Sequence, residues 1–110
     1  MNNVISVTDG TFDDLIAGSD RPVLVDFYAD WCGPCRTQAP VLERWAQAHA
    51  DTVTVAKVNV DVAPEAARTW QVRSIPTLHL FVGGQLVETR VGVQSETQLN
   101  GLLEAISESA

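Results

Sequence analysis

The chain has 110 residues, of which 45% are apolar, and 14 acidic residues against 7 Lys and Arg give a formal net charge of −7 at pH 7. This length and composition predict a single domain, residues 1–110, with a core large enough to fold without covalent cross-links. The acidic balance argues against nucleic acid and anionic membranes as partners, and no apolar stretch approaches the roughly 20 residues that a membrane-spanning helix needs.

The first half of the chain alternates short apolar runs with helical patterns. The predicted elements are a strand at 4–7, a helix at 9–17, a strand at 23–28 and a helix at about 34–49. The second strand is nearly all apolar, which is typical of a strand covered on both faces. Pro34 lies near the first helical position, where a missing N–H costs nothing, and Pro40 inside the same helix predicts a kink.

The second half predicts a strand at 53–59, a short helix at 64–71, strands at 77–82 and 85–93, and a final helix. Gly83 and Gly84 form the predicted hairpin turn between the last two strands. Ser95 and Gln98 form a capping box that opens the final helix. The resulting order, βαβαβαββα, predicts the α/β class, with a central mixed β-sheet flanked by helices on both faces.

The only two cysteines lie in the segment Trp31-Cys32-Gly33-Pro34-Cys35, between a buried strand and the start of a helix. Two thiols three positions apart at a helix start can approach to a Cα separation of roughly 5–6 Å, which suits a disulfide. The unpaired N–H groups and partial positive charge of a helix N-terminus stabilise a thiolate. The pattern therefore indicates a disulfide that can be made and broken repeatedly, with Cys32 exposed at the mouth of the helix and Cys35 more buried.

Two other interpretations of the cysteines are weaker. A permanent disulfide would close a four-residue ring, which restrains little entropy in the unfolded chain. A zinc site would need His49 and His79 as further ligands, but 29 residues separate them, whereas a zinc finger has about three to five between its histidines. We therefore expect no metal site, and we assign His79 no role beyond that of a neutral histidine in the core or on a sheet face.

Two charged residues lie inside apolar strands. Asp26 interrupts the run at 23–28, and burial should raise the pKa of its carboxyl toward neutrality. A polar residue satisfied at a strand end is the structural alternative. Lys57 interrupts the strand at 53–59, and Asp26 one strand away is its natural partner. Alternatively, Lys57 lies at a strand edge and extends its ammonium into solvent.

The whole chain resembles the thioredoxin family. The matching residues, in family order and spacing, are Val25-Asp26-Phe27, Ala29, Trp31-Cys32-Gly33-Pro34-Cys35, Pro40, Lys57-Val58-Asn59-Val60-Asp61, Ile75-Pro76-Thr77, Phe81, Gly84 and Gly92. The resemblance implies a thioredoxin fold and a general protein-disulfide reductase that has no cofactor of its own. Its implied partners are proteins with disulfides and a flavin- and NADPH-dependent thioredoxin reductase. A monomer is expected, and the absence of a visible secretory signal predicts a cytoplasmic protein.

The resemblance also implies roles for particular residues. Cys32 attacks a substrate disulfide, Cys35 resolves the mixed disulfide, and Asp26 beneath Cys35 accepts its proton, with Lys57 tuning that transfer. Gly33 and Pro34 between the cysteines resemble the reducing members of the superfamily, since oxidising members usually carry a His there.

A docking surface for substrate is implied beside the cysteines. From sequence alone, Pro76 would be an ordinary trans proline at the start of a strand. The family's matching proline is instead cis and packs against the redox pair. Trp31, Ile75, Pro76 and Gly92 would form a small apolar surface that binds an extended peptide by strand addition.

The chain departs from the family pattern at Tyr28, Gln71, Ser74 and His79, and none of these changes removes a reactive group. Two other functions stay open at this point. One is a family member dedicated to one client or to disulfide formation. The other is a binding subunit or chaperone in which the thiols are incidental.

Overall fold

The computed structural model describes residues 3–109. In chain order, its elements are β1 Val4–Ser6, α1 Asp9–Gly18, β2 Val23–Tyr28, α2 Gly33–Ala48, β3 Thr54–Asn59, α3 Pro64–Thr69, β4 Thr77–Val82, β5 Gln85–Val91 and α4 Glu96–Ser109. This order confirms the predicted βαβαβαββα arrangement. Among these elements, no helix combines the length and the apolar character needed to cross a membrane.

The five strands form one mixed sheet in the order β1-β3-β2-β4-β5. β1, β3 and β2 run parallel, whereas β4 is antiparallel to both β2 and β5. β2 therefore lies at the centre of the sheet. Its Asp26 is in register with Lys57 on β3 and with Leu78 on β4.

Helices cover both faces of the sheet, and each face has its own apolar core. One core combines Leu24 with side chains of α2 and α4, such as Leu42, Trp45 and Leu99. The other combines Val25 and Phe27 with side chains of α1 and α3. Successive side chains of a strand point to opposite faces, so the apolar run in β2 supplies both cores in turn. The interpretation of this run as a strand covered on both faces is confirmed.

The predicted boundaries differ from the observed ones mainly where the backbone enters the left-handed region. α3 ends at Thr69 because Gln71 has a φ of 57°, and β5 ends at Val91 because Gly92 has a φ of 88°. Gln71 is a non-glycine residue in this conformation, which Gly would adopt without steric cost. The strands at 23–28 and 77–82 match their predicted bounds.

Two local features predicted from the sequence, a helix cap and a hairpin turn, are present in the structure. Ser95 N–H donates to Gln98 Oε1 at 2.8 Å, and Gln98 N–H donates to Ser95 Oγ at 3.2 Å, which is the predicted capping box of α4. Gly83 and Gly84 have φ values of 60° and 80° and join β4 to β5. Positive φ at both central residues is the geometry of a type I′ hairpin turn.

Replacing Gly84 and Gly101 by Ala should change the free energy of unfolding in opposite directions. The positive φ of Gly84 disfavours a Cβ, so Gly84→Ala should lower the free energy of unfolding by about 1 kcal/mol. Gly101 lies inside α4 with nothing within 4 Å of an added Cβ, so Gly101→Ala should raise it by about 0.5–1 kcal/mol. Urea denaturation followed by tryptophan fluorescence measures both values, and a stabilising Gly84→Ala would contradict the turn geometry.

Candidate active site

The two cysteines lie where the chain leaves the central strand and enters α2. Cys32 is the N-cap of this helix, and its Sγ accepts a hydrogen bond from Cys35 N–H at 3.2 Å. Pro34 occupies the first turn, where its missing N–H leaves no helical bond unmade. Cys32 and Cys35 are disulfide-bonded, with their Cα atoms 5.2 Å apart. The two residues thus form the disulfide that their spacing in the sequence predicts.

The predicted exposure of Cys32 is wrong for this disulfide form. Cys32 is 5% exposed and Cys35 is 3% exposed, so both residues are buried. The cause is packing, since Ala29, Tyr28 and Ile75 surround the pair, and Cys32 Sγ lies 3.8 Å from the carbonyl oxygen of Ile75. The two cysteines differ in their neighbours more than in their exposure.

Trp31 is the exposed group beside the disulfide. Its side chain is 68% exposed, and its indole Nε1–H donates to Asp61 Oδ2 at 2.8 Å. Asp61 N–H in turn donates to Asn59 Oδ1 at 2.9 Å, which fixes the segment after β3. A shallow groove of about 190 Å³ runs beside Trp31 and is lined by Val60, Val72 and Ile75, among others. An exposed aromatic ring whose orientation is fixed by a hydrogen bond can serve as a contact surface.

The other residues predicted for the docking surface come from two further segments. The Ile75–Pro76 peptide bond is cis, as the family resemblance implies. Gly92 N–H donates to the carbonyl oxygen of Pro76 at 2.9 Å, which joins the end of β5 to the start of β4. Ile75 packs directly against the cysteine pair. The structure therefore brings Ile75 to the disulfide and ties Gly92 to Pro76.

Asp26 lies buried on β2, next to a small cavity that it shares with Cys35. Burial raises the pKa of the Asp26 carboxyl from 3.8 to about 7, although the positive charge of Lys57 acts in the opposite direction. The buried Oδ1 of Asp26 has no hydrogen-bond partner among residues 3–109. The cavity measures about 60 Å³, and its lining includes Cys35, Lys57 and Glu43. The structure thus places Asp26, Cys35 and Lys57 around one space.

The charge of Lys57 lowers the pKa of Asp26, as expected of a partner, but the two side chains are not in direct contact. The two residues face each other across β3 and β2, but these two described side chains form no ion pair. The Lys57 ammonium instead lies 5.7 Å from the ring centroid of Tyr28. There it interacts with the aromatic face and keeps contact with solvent, which avoids full desolvation of a second charge.

His79 is a buried residue of β4 in an aromatic cluster. Its ring meets Phe27 edge-on with 5.2 Å between centroids, and its Nδ1 lies 3.4 Å from Thr89 Oγ1. Burial lowers the pKa of the imidazole, so the neutral form is favoured. In the part of the chain that the structure describes, no three His, Cys, Asp or Glu side chains cluster in a way that could hold a metal ion.

Sequence reasoning missed Gln38 and Gln94, which contact each other next to the site. Gln38 lies on the buried stripe of α2 together with Cys35, Leu42 and Trp45. The helical spacing of Gln38 with these apolar residues was the signal that could have revealed it. A glutamine on an apolar stripe is buried and needs hydrogen-bond partners inside the protein. Gln94 lies in the loop after β5, where the sequence pattern contained no comparable signal.

The chain is similar to known proteins over most of its length. The thioredoxin family model matches residues 3–105. A thioredoxin from Alicyclobacillus acidocaldarius is 54% identical over 99 residues, which cover 90% of this chain and 93% of that protein. Thioredoxin 1 from Nostoc sp. is 48% identical over 104 residues, covering 94% and 97%. A bifunctional thioredoxin reductase/thioredoxin from Mycobacterium leprae is 52% identical over 95 residues, covering 86% of this chain and 21% of that protein.

Replacing Asp26 by Asn should stabilise the protein at pH 8 and change its stability little at pH 4. Because the folded-state pKa is about 7 and the ordinary value is 3.8, unfolding releases a proton between these values. Stability is therefore lost as the pH rises from about 4 to about 7, by on the order of 4 kcal/mol. Asp26→Asn removes this loss, so its free energy of unfolding at pH 8 should exceed that of wild type by about 4 kcal/mol.

Urea denaturation of the oxidised protein at both pH values measures this difference. Asp51→Asn, which replaces an exposed carboxyl in the turn before β3, is the matched control and should show the same small difference at pH 4 and pH 8. A stability gain for Asp26→Asn that is equal at the two pH values would show that burial does not raise the pKa of Asp26.

Proposed function

This chain belongs to the thioredoxin family, and we propose that it is a general protein-disulfide reductase acting through reversible exchange at Cys32 and Cys35. The observation that carries the proposal is the Cys32–Cys35 disulfide at the first turn of α2, next to the exposed Trp31 and the buried Asp26. A structural staple would need neither the helix N-terminus nor the buried carboxyl.

Cys32 performs the first step in the reduced protein. Its sulfur caps α2 and receives the Cys35 N–H, and this donor together with the helix dipole stabilises the thiolate form. The Cys32 thiolate attacks one sulfur of a substrate disulfide, a new S–S bond forms, and the other substrate sulfur leaves as a thiolate that takes up a proton. The product of this step is a mixed disulfide between Cys32 and the substrate.

Cys35 performs the second step with help from Asp26. A carboxyl whose pKa is about 7 can accept the Cys35 proton near neutral pH. The cavity of about 60 Å³ that they share has room for a water molecule that would carry this proton. The Cys35 thiolate then attacks Cys32 Sγ, and the second substrate sulfur leaves. The protein ends as the disulfide and the substrate as a dithiol. The charge of Lys57 moderates the Asp26 pKa and so tunes this transfer.

The substrate docks on the surface formed by Trp31, Ile75, Pro76 and Gly92. Trp31 offers the largest exposed aromatic area, and the backbone of Ile75 lies beside Cys32 Sγ, where an extended peptide can pair with it. Pairing with backbone groups depends little on the substrate's side chains. This supports a reductase with many protein substrates rather than one.

The electrons come from a separate flavin- and NADPH-dependent thioredoxin reductase. The chain resembles the thioredoxin part of a relative whose name joins thioredoxin reductase and thioredoxin in one polypeptide. Gly33 and Pro34 leave no extra positive charge between the cysteines to stabilise the reduced form, which favours electron donation to substrates.

Replacing Cys32 by Ser should abolish reduction of insulin with dithiothreitol as electron donor. Wild type should accelerate the turbidity that follows insulin reduction, whereas Cys32→Ser lacks the attacking sulfur. Cys35→Ser is the matched variant, because it keeps Cys32; when it is reduced, freed of dithiothreitol and mixed with insulin, it should accumulate a mixed disulfide that mass spectrometry detects. If folded wild type does not accelerate the reaction, the reductase function is wrong, and a binding role that survives replacement of both cysteines becomes the better explanation.

Replacing Asp26 by Asn should slow the reduction of insulin by the pre-reduced protein about tenfold near pH 7.5, because the base for Cys35 is lost. The deficit should shrink below pH 7, where the wild-type Asp26 also carries a proton. Single-turnover rates measured by tryptophan fluorescence from pH 5.5 to pH 8.5 follow this change, with Asp51→Asn as the control. A deficit that is constant across this range would argue against proton transfer to Asp26.

A further inference from the structure

A buried glutamine joins the cysteine-bearing helix to the loop that carries Gly92. Gln38 lies on α2, one helical turn beyond Cys35, and is 0% exposed. Its Oε1 accepts a hydrogen bond from Gln94 N–H at 2.6 Å, and its Nε2 donates to the carbonyl oxygen of Gln94 at 3.1 Å. One side-chain amide therefore satisfies both backbone groups of a loop residue, as a neighbouring strand would.

The loop needs this partner because it has no regular structure of its own. Residues 92–95 connect β5 to α4 and belong to neither a helix nor a strand, yet Gln94 is buried. A buried backbone N–H and C=O that lost their partners would each carry a desolvation cost. In the described part of the chain, the two bonds of Gln38 are the hydrogen bonds that join α2 to this loop.

The hydrogen bonds continue from Gln94 to the docking surface. Gln94 Nε2 donates to the carbonyl oxygen of Gly92 at 3.2 Å, and Gly92 N–H donates to the carbonyl oxygen of Pro76 at 2.9 Å. Gly92 is thus held on one side by the segment that carries the cis proline and on the other by Gln94. Through Gln38, the same network reaches the helix that carries both cysteines.

We propose that Gln38 is a positioning residue, which fixes the Gly92 loop relative to the Cys32–Cys35 pair and so sets the affinity for protein substrates. This inference rests on the proposed function above. Ile75 packs directly on the cysteines, whereas Gly92 reaches their helix through the Gln94–Gln38 pair. An extended protein substrate needs both segments in place. A small aromatic disulfide needs only access to Cys32, so the two substrate types should respond differently to a change at Gln38.

The test compares Gln38→Leu with wild type on a protein disulfide and on a small one. Leucine fills a similar volume and removes both hydrogen bonds to Gln94. Pre-reduced protein is mixed with increasing insulin, and the single-turnover rate gives a half-saturating concentration and a maximal rate. We expect the half-saturating concentration to rise about fivefold and the maximal rate to stay within about twofold, as for a loss of uniform binding. The rate with 5,5′-dithiobis(2-nitrobenzoate) should also stay within about twofold.

Two control variants separate positioning from general destabilisation. Ile16→Ala removes a buried side chain of α1 in the opposite core and should lower stability while leaving both substrate responses unchanged. Gln94→Ala keeps the two backbone bonds to Gln38 and removes the side-chain bonds to the carbonyl oxygens of Gly92 and Val93, so its half-saturating concentration should rise about twofold. If Gln38→Leu does not fold, Gln94→Ala decides in its place.

The outcomes distinguish this inference from the proposed function. If wild type reduces neither insulin nor the small disulfide, the reductase function is wrong and the positioning role falls with it. If wild type reduces both substrates, the reductase function stands. The positioning role is then wrong if Gln38→Leu keeps the wild-type half-saturating concentration for insulin, or if it loses activity on both substrates equally. An unchanged half-saturating concentration for Gln94→Ala would overturn the role in the same way when Gln38→Leu is unfolded.

Discussion

The burial of β2 on both faces is the constraint on which the rest of the site depends. Val25 and Phe27 point into the core beneath α1 and α3, so Leu24 and Asp26 must point toward α2 and α4. A one-residue shift in the register of β2 would place Asp26 in the opposite core. It would also move every apolar side chain of the strand to the other face of the sheet. The apolar pattern of the strand thus holds a carboxyl beneath the cysteine helix, where desolvation raises its pKa to about 7.

The chain continues from this strand to the N-terminus of α2, where both cysteines lie. At this helix end, the two cysteines have different surroundings. Cys32 caps the helix and receives a backbone N–H, whereas Cys35 lies inside the first turn and faces the cavity it shares with Asp26. Their exposures are nearly equal. In the proposed mechanism, the N-cap hydrogen bond at Cys32 and the carboxyl next to Cys35 contribute to the division into attacking and resolving thiol.

Much of this arrangement follows from the sequence, and the exceptions have physical causes. Continuous apolar runs and turn glycines predict the strands, because burial and backbone conformation depend on local residue types. The exposure of Cys32 was predicted wrongly, and the choice between the two interpretations of Lys57 stayed open, because these side chains contact Ile75 and Tyr28, which lie far from them in the sequence. The Gln38–Gln94 pair spans 56 positions, and only the place of Gln38 on the apolar stripe of α2 hinted at it.

The proposed site thus divides into a chemical part and a recognition part that are built differently. Asp26, Cys32 and Cys35 lie on one strand and the helix that follows it, so their relative positions depend on the core. Ile75, Pro76 and Gly92 lie at the ends of strands and in loops, and backbone hydrogen bonds such as that from Gly92 to Pro76 hold them in place. A buried polar side chain such as Gln38 adds hydrogen bonds from the helix to such a loop. In the proposed positioning role, Gln38 therefore sets the affinity for protein substrates while the sulfur chemistry stays the same.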